Sequence, residues 1–95
     1  MLEAMEKPQV PPTPRQIFGM NLRRARRLKD VSQEELAFRS DLSRTYVSEV
    51  ERGVRNVSID NMGLLADALG VPLKELVDPE MFSAWGEVKL VPSPR

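Results

Sequence analysis

Two helix-starting signals stand eleven residues apart, at Ser32 and Ser43, and a glycine closes the stretch at Gly53. No other part of the chain restricts its folding as much. Ser32 is an N-cap candidate, and Glu35 three residues later completes the pattern of a capping box. Gln33 to Arg39 then make about two helical turns, with Leu36 and Ala37 on the apolar side. Ser40, Asp41 and Leu42 interrupt that pattern. Ser43 starts a second helix, and Gly53 suits the left-handed residue that follows a helix end. Two helices this short cannot stand alone, so the rest of the chain has to cover their apolar faces.

The second helix has two unlike sides. At about 100° per residue from Arg44, the residues Thr45, Ser48, Glu49 and Arg52 fall within one arc of roughly 140°. Tyr46, Val47 and Val50 occupy the other side. One face can hydrogen-bond and the other can pack. An arginine in the first turn, followed by Thr and Ser on the same face, suits a helix that enters the DNA major groove by its N-terminal end. Arginine bonds bidentately to guanine, and a threonine methyl can touch the methyl of thymine. A helix N-terminus also favours phosphate. The solvated face of any amphipathic helix has the same periodicity, so spacing alone leaves both readings open.

The flanking segments supply the cover. A first helix from about Arg15 or Gln16 to Lys29 has an apolar stripe of Phe18, Leu22, Ala25 and Leu28, with Ile17 at its margin. Arg23 and Arg27 point away from the stripe, and Arg26 sits at its edge. Ser58 caps a fourth helix whose packing face is Ile59, Met62, Leu65, Ala66 and Leu69, and Gly70 ends it. Gly63 inside that helix costs about 1 kcal/mol relative to alanine. Pro72 to Val77 makes a short fifth helix. The fold expected is all-α, a compact five-helix bundle. Its domain spans residues 15–78, after a flexible Pro-rich arm (1–14) and before an extension (79–95) that holds Met81, Phe82 and Trp85. Glu87 to Val91 is a weak strand candidate.

Composition excludes several functions. The chain has no cysteine and no histidine, which removes disulfides, the usual zinc sites and His-activated nucleophiles. No acid, base and nucleophile constellation and no Gly-rich phosphate loop occur, so neither an enzyme nor a cofactor is expected. No apolar run reaches the roughly 18 residues of a membrane span, and the N-terminus lacks a signal-peptide core. A cytoplasmic protein without a membrane partner is the expectation. The net charge is zero but unevenly spread: from Arg15 to Arg55 ten basic residues face six acidic ones, while from Asn56 onward three face six. The basic half holds the two-faced helix, a distribution that can orient a protein on an acidic polymer.

Several pieces agree at fixed spacing. They are an Arg-rich first helix, Ser-Gln-Glu-Glu-Leu-Ala opening the second, Ser-Arg-Thr-Tyr-Val-Ser in the third, Glu-Arg-Gly closing it, and Ala-Leu-Gly-Val ending the fourth. Over about residues 16–77 the chain resembles the helix-turn-helix domain of the phage repressor/Cro-like (XRE-type) transcriptional regulators. Within that family, Arg-Thr-Tyr-Val-Ser followed by Glu-Arg-Gly-x-Arg-Asn is similar to the controller proteins of restriction–modification systems. The resemblance implies a lambda-repressor-like fold and a homodimer on a pseudo-palindromic operator in double-stranded DNA. RNA polymerase is a further partner for such a regulator. The recognition helix would span about residues 43–52 and read bases with Arg44, Thr45 and Ser48, with Glu49 at the margin. Gln33 would contact phosphate and brace that helix, while Arg52, Arg55 and Asn56 follow it in positions suited to phosphate. Arg26 and Glu51 would form an ion pair joining the first and third helices. Leu73, Leu76 and Val77 would make a two-fold dimer contact, enlarged by Phe82 and Trp85; the alternative is that the first three close the monomer core. A second function compatible with the same fold is an antitoxin-type protein-interaction module.

Overall fold

The computed structural model describes residues 10–81. Five helices make up their regular structure: α1 (Pro14–Leu28), α2 (Gln33–Ser40), α3 (Arg44–Glu51), α4 (Ile59–Leu69) and α5 (Leu73–Leu76). The described residues contain no strand, and the all-α five-helix expectation holds. Most of the arm, together with Phe82, Trp85 and the strand candidate from Glu87 to Val91, lies outside the described residues.

Each of the first four helices starts on a side-chain cap. Ser32, Ser43 and Ser58 accept from the backbone N–H groups of Glu35, Tyr46 and Asn61 at 2.9, 3.0 and 3.0 Å. The reciprocal capping box expected at Ser32 is instead at Thr13. There the Thr13 hydroxyl accepts from the Gln16 backbone N–H, and the Gln16 side-chain Oε1 accepts from the Thr13 backbone N–H at 2.9 Å. Glu35 is drawn elsewhere, accepting from Arg39 Nε at 2.9 Å one turn further on.

The same four helices end alike. Asp30, Asp41, Gly53 and Gly70 all have φ between 61° and 74°. In each case the next residue donates back to a carbonyl in the last turn: Val31 to Arg26, Leu42 to Ala37, Val54 to Glu49 and Val71 to Ala66. This is the Schellman closure, for which glycine is the low-strain residue. Asp41 adopts it at the bend between α2 and α3 with φ 61° and ψ 36°. Asp41→Gly should relieve about 1 kcal/mol of left-handed strain, partly offset by a more flexible unfolded chain. A net gain of about 0.5 kcal/mol, or roughly 2–4 °C in Tm, is expected. A fall in Tm on thermal denaturation would contradict this account of the bend.

The core gathers one face of every helix. Leu22 of α1, Leu36 of α2, Val47 and Val50 of α3, Leu65 of α4 and Leu76 of α5 are fully buried. Two expected core positions are not. Leu28 is 60% exposed and Ile59 is 63% exposed. They are the last residue of α1 and the first of α4. Periodicity gives the face of a helix, but cover extends only as far as a neighbouring element runs. Leu76 also departs from expectation. It has no accessible surface, so it closes the monomer core and is removed from the list of dimer contacts.

Two polar or missing side chains shape the packing. A Cβ on Gly19 would stand 2.3 Å from the Val50 carbonyl oxygen and 2.9 Å from that of Glu51. The absent side chain is what lets α1 lie against the end of α3. Gly63 has no such reason, because a Cβ there would meet nothing within 4 Å. Asn21, 2% exposed, points its amide at three backbone carbonyls, two in the last turn of α5 and one just after it: Glu75 at 3.3 Å, Leu76 at 3.0 Å and Asp78 at 2.9 Å.

Candidate nucleic-acid interface

The outer face of α3 is built from behind. Val47 and Val50 are fully buried, and Tyr46 packs partly against the core. At 100° per residue this leaves the opposite side of the helix to solvent. Arg44 and Thr45 are exposed there, with Ser48 and Glu49 partly exposed beside them. Ser43 caps the end of the helix that carries Arg44. Arg52, Arg55 and Asn56 follow, all exposed.

One carboxylate fixes the angle of this helix. Arg26 of α1 donates to Glu51 through Nε at 2.6 Å and Nη2 at 2.9 Å. Its Nη1 donates to the Val31 carbonyl at 2.8 Å. The Arg26 and Glu51 side chains are only 11% and 2% exposed. Gln33 Nε2, from the first turn of α2, donates to Glu51 Oε1 at 3.0 Å. Glu51 therefore ties three helices together. The fork-to-fork geometry keeps both carboxylate oxygens occupied, which a buried charge requires.

A shallow cleft runs over this junction, lined by Arg23, Arg26, Gln33, Ser48, Glu51 and Arg52. The Glu51 charge is met by Arg26, which leaves Arg23 and Arg52 as cations at its rim. That balance suits an anion such as a phosphodiester. Arg23 was legible in the sequence only as a residue turned away from the apolar stripe. Its approach to Ser48 and Arg52 depends on how α1 crosses α3.

Tyr46, Glu49 and Arg55 form a second group at the other side of α3. The Arg55 guanidinium lies 4.9 Å from the centre of the Tyr46 ring. Its Nη1 is 3.4 Å from Glu49 Oε1. Asn61 of α4 donates to the Tyr46 hydroxyl at 3.0 Å. Sequence spacing gave no sign of this group, because its members come from α3, the loop after it and α4.

At the far end of the domain, Leu73 is half-buried against the core and Val77 is 45% exposed. The described residues contain no cluster of metal-ligating side chains. None of the described helices is long and apolar enough to cross a membrane.

The comparisons agree with this geometry. The Helix-turn-helix family model matches residues 22–76. The control protein C.BamHI of Bacillus amyloliquefaciens is 52% identical over 65 residues, covering 67% of this chain and 80% of that protein. The crystal structure of the restriction-modification controller protein C.AhdI from Aeromonas hydrophila superposes with a TM-score of 0.64 at 52% identity, covering 65% of this chain and 94% of that one. A crystallised tetramer of the controller protein C.Esp1396I, in complex with its natural 35 base-pair operator, is 30% identical with a TM-score of 0.63, covering 68% of this chain and 91% of that one.

Proposed function

The chain belongs to the helix-turn-helix family, and from that premise we propose that it is a sequence-specific DNA-binding regulator of transcription, acting as a homodimer on a pseudo-palindromic operator. Each copy presents α3 to the major groove of one half-site, with the half-sites about one helical turn, roughly 34 Å, apart. The observation that carries this reading is the division of α3: Val47 and Val50 are sealed in the core while Arg44 and Thr45 face solvent. Arg44, Thr45 and Ser48 read base edges. Gln33, Arg52, Arg55 and Asn56 hold phosphates, and Arg23 joins them from α1. Phosphate contacts set register; base contacts set sequence.

Its place among regulators is that of a restriction–modification controller, supported by its similarity to C.BamHI and C.AhdI. Regulation then follows from protein concentration and stepwise occupancy of adjacent operators. The operator-bound tetramer of C.Esp1396I supports that scheme. The protein works where the operator is, in the cytoplasm. Leu73 and Val77 belong to the dimer contact. Contact with RNA polymerase falls to α2, where Glu34 and Phe38 lie one turn apart on an exposed face and Phe38 is 82% exposed.

Selection of bound duplexes from a random DNA pool tests the reading directly. A palindromic consensus with one-turn spacing is expected, and recovery of no consensus contradicts it. On the selected duplex, Arg44→Ala should cost roughly 1–3 kcal/mol and relax base preference at one position. Arg52→Ala should weaken binding to all sequences and make the salt dependence shallower by about one counter-ion. Titrations at several salt concentrations separate the two.

A further inference from the structure

The group at Tyr46, Glu49 and Arg55 is not explained by base reading or phosphate binding alone. A carboxylate on a DNA-facing helix repels the polymer that the helix is built to approach. Here it sits 3.4 Å from an arginine that is otherwise suited to phosphate. The Arg55 and Glu49 side chains are 48% and 31% exposed, so the pair is open to water and can exchange partners. The arginine is also not free to swing. The Tyr46 ring lies under it at 4.9 Å, and the ring is anchored by the Asn61 amide at 3.0 Å. Asn61 is itself fixed, since its backbone N–H donates to the Ser58 cap at 3.0 Å. The guanidinium is thus kept at one place on the rim of the recognition surface, with a protein anion as its partner.

Building on the DNA-binding reading, we infer that Glu49 is a specificity-determining residue that acts through Arg55, holding its guanidinium as an internal counter-ion. A phosphate has to displace Glu49 before Arg55 contributes to binding. On an operator, α3 seats fully in the groove and brings a phosphate close enough to make that exchange. On other DNA the helix does not seat, and Arg55 stays with Glu49. Non-specific binding depends almost wholly on such cation–phosphate contacts. Withholding one of them lowers affinity for the wrong sequences more than for the right one, which is how specificity is gained without a new base contact.

The test uses the full chain, with Glu49→Gln, Arg55→Ala and the double variant. Binding is read by fluorescence anisotropy on a short duplex of random sequence and on the duplex recovered by selection. Glu49→Gln should raise affinity for the random duplex about two- to fivefold, the strength of an exposed ion pair. The slope of log affinity against log salt should steepen by about one, because Arg55 now releases a DNA counter-ion unopposed. The selected duplex should gain less, so the ratio between the two falls. On the Arg55→Ala background the gain from Glu49→Gln should shrink by more than roughly half, the sign of a coupled pair. An equal gain on both backgrounds would mean that Glu49 only repels DNA, and no gain at unchanged Tm would mean that it restrains nothing; either overturns the inference while leaving the DNA-binding reading intact. Failure of the unaltered protein to bind either duplex overturns that reading and the inference together.

Discussion

Glu51→Ala is expected to remove a large share of the protein's folding stability. The substitution removes the acceptor of two Arg26 hydrogen bonds, at 2.6 and 2.9 Å, and of the Gln33 bond at 3.0 Å. Arg26 remains, 9% exposed, with the neutral Val31 carbonyl as acceptor for one of its donors. Stranding one partner of a buried pair costs roughly 3–5 kcal/mol. A domain of this size is stable by about 5–15 kcal/mol, so the loss is a large share. Urea denaturation followed by circular dichroism measures it as a lower midpoint. The paired change Arg26→Met with Glu51→Leu supplies the contrast. It removes both charges and fills the same space, and replacements of this kind are often neutral or stabilising by about 1–4 kcal/mol. In the proposed function Gln33 needs the Glu51 carboxylate as its brace, so the double variant should fold yet bind DNA less well. A single Glu51→Ala protein with an unchanged midpoint would show that the junction does not hold α1, α2 and α3 together.

Gly19→Ala should be comparably damaging, against the usual expectation for a helix. Replacing glycine with alanine inside a helix ordinarily stabilises by about 1 kcal/mol. At Gly19 the new methyl would come to 2.3 Å from the Val50 carbonyl oxygen. That atom is backbone in the last turn of α3 and cannot rotate aside. Relief requires α1 to move off α3, which pulls on the Arg26–Glu51 pair as well. Overpacking of this kind costs about 1–3 kcal/mol and more where the obstacle is rigid. The upper end is expected here, with lost DNA binding because the angle of α3 changes. Gly63→Ala is the matched control: with nothing within 4 Å of the new methyl, it should gain about 1 kcal/mol from helix propensity alone. Thermal denaturation of the two variants side by side should move Tm in opposite directions.

The contrast shows what a sequence can and cannot convey. Ser32, Ser43 and Ser58 were readable as helix starts because a cap is a contact across three residues. Gly53 and Gly70 were readable as ends for the same reason. Thr13 carried the same local signal, with Gln16 three residues on, but the prolines before it drew the segment into the arm. The two faces of α3 were readable because helical periodicity is also local. Which glycine serves a close approach was not readable: Gly19 meets Val50 and Glu51 on another helix, and only the crossing of α1 over α3 reveals it. Leu28, Ile59 and Leu76 failed for a related reason. Each is apolar and on the correct face or near it, but burial depends on where the neighbouring element stops. The site divides the same way. Arg44, Thr45 and Ser48 follow from one helix, whereas the Arg55–Glu49 pair over Tyr46 needs the α3–α4 connection folded.

The Asn21 amide has a consequence for how the protein is made. Its acceptors are 54 to 57 residues further along the chain. While a ribosome is still adding α4, those carbonyls do not yet exist, and a buried amide without acceptors is disfavoured by about 1–3 kcal/mol. The first helix therefore gains this anchor in its seat only after the chain has been made through α5. The growing polypeptide lacks all three acceptors until α5 emerges, and a message broken off before Glu75 yields a product without this anchor.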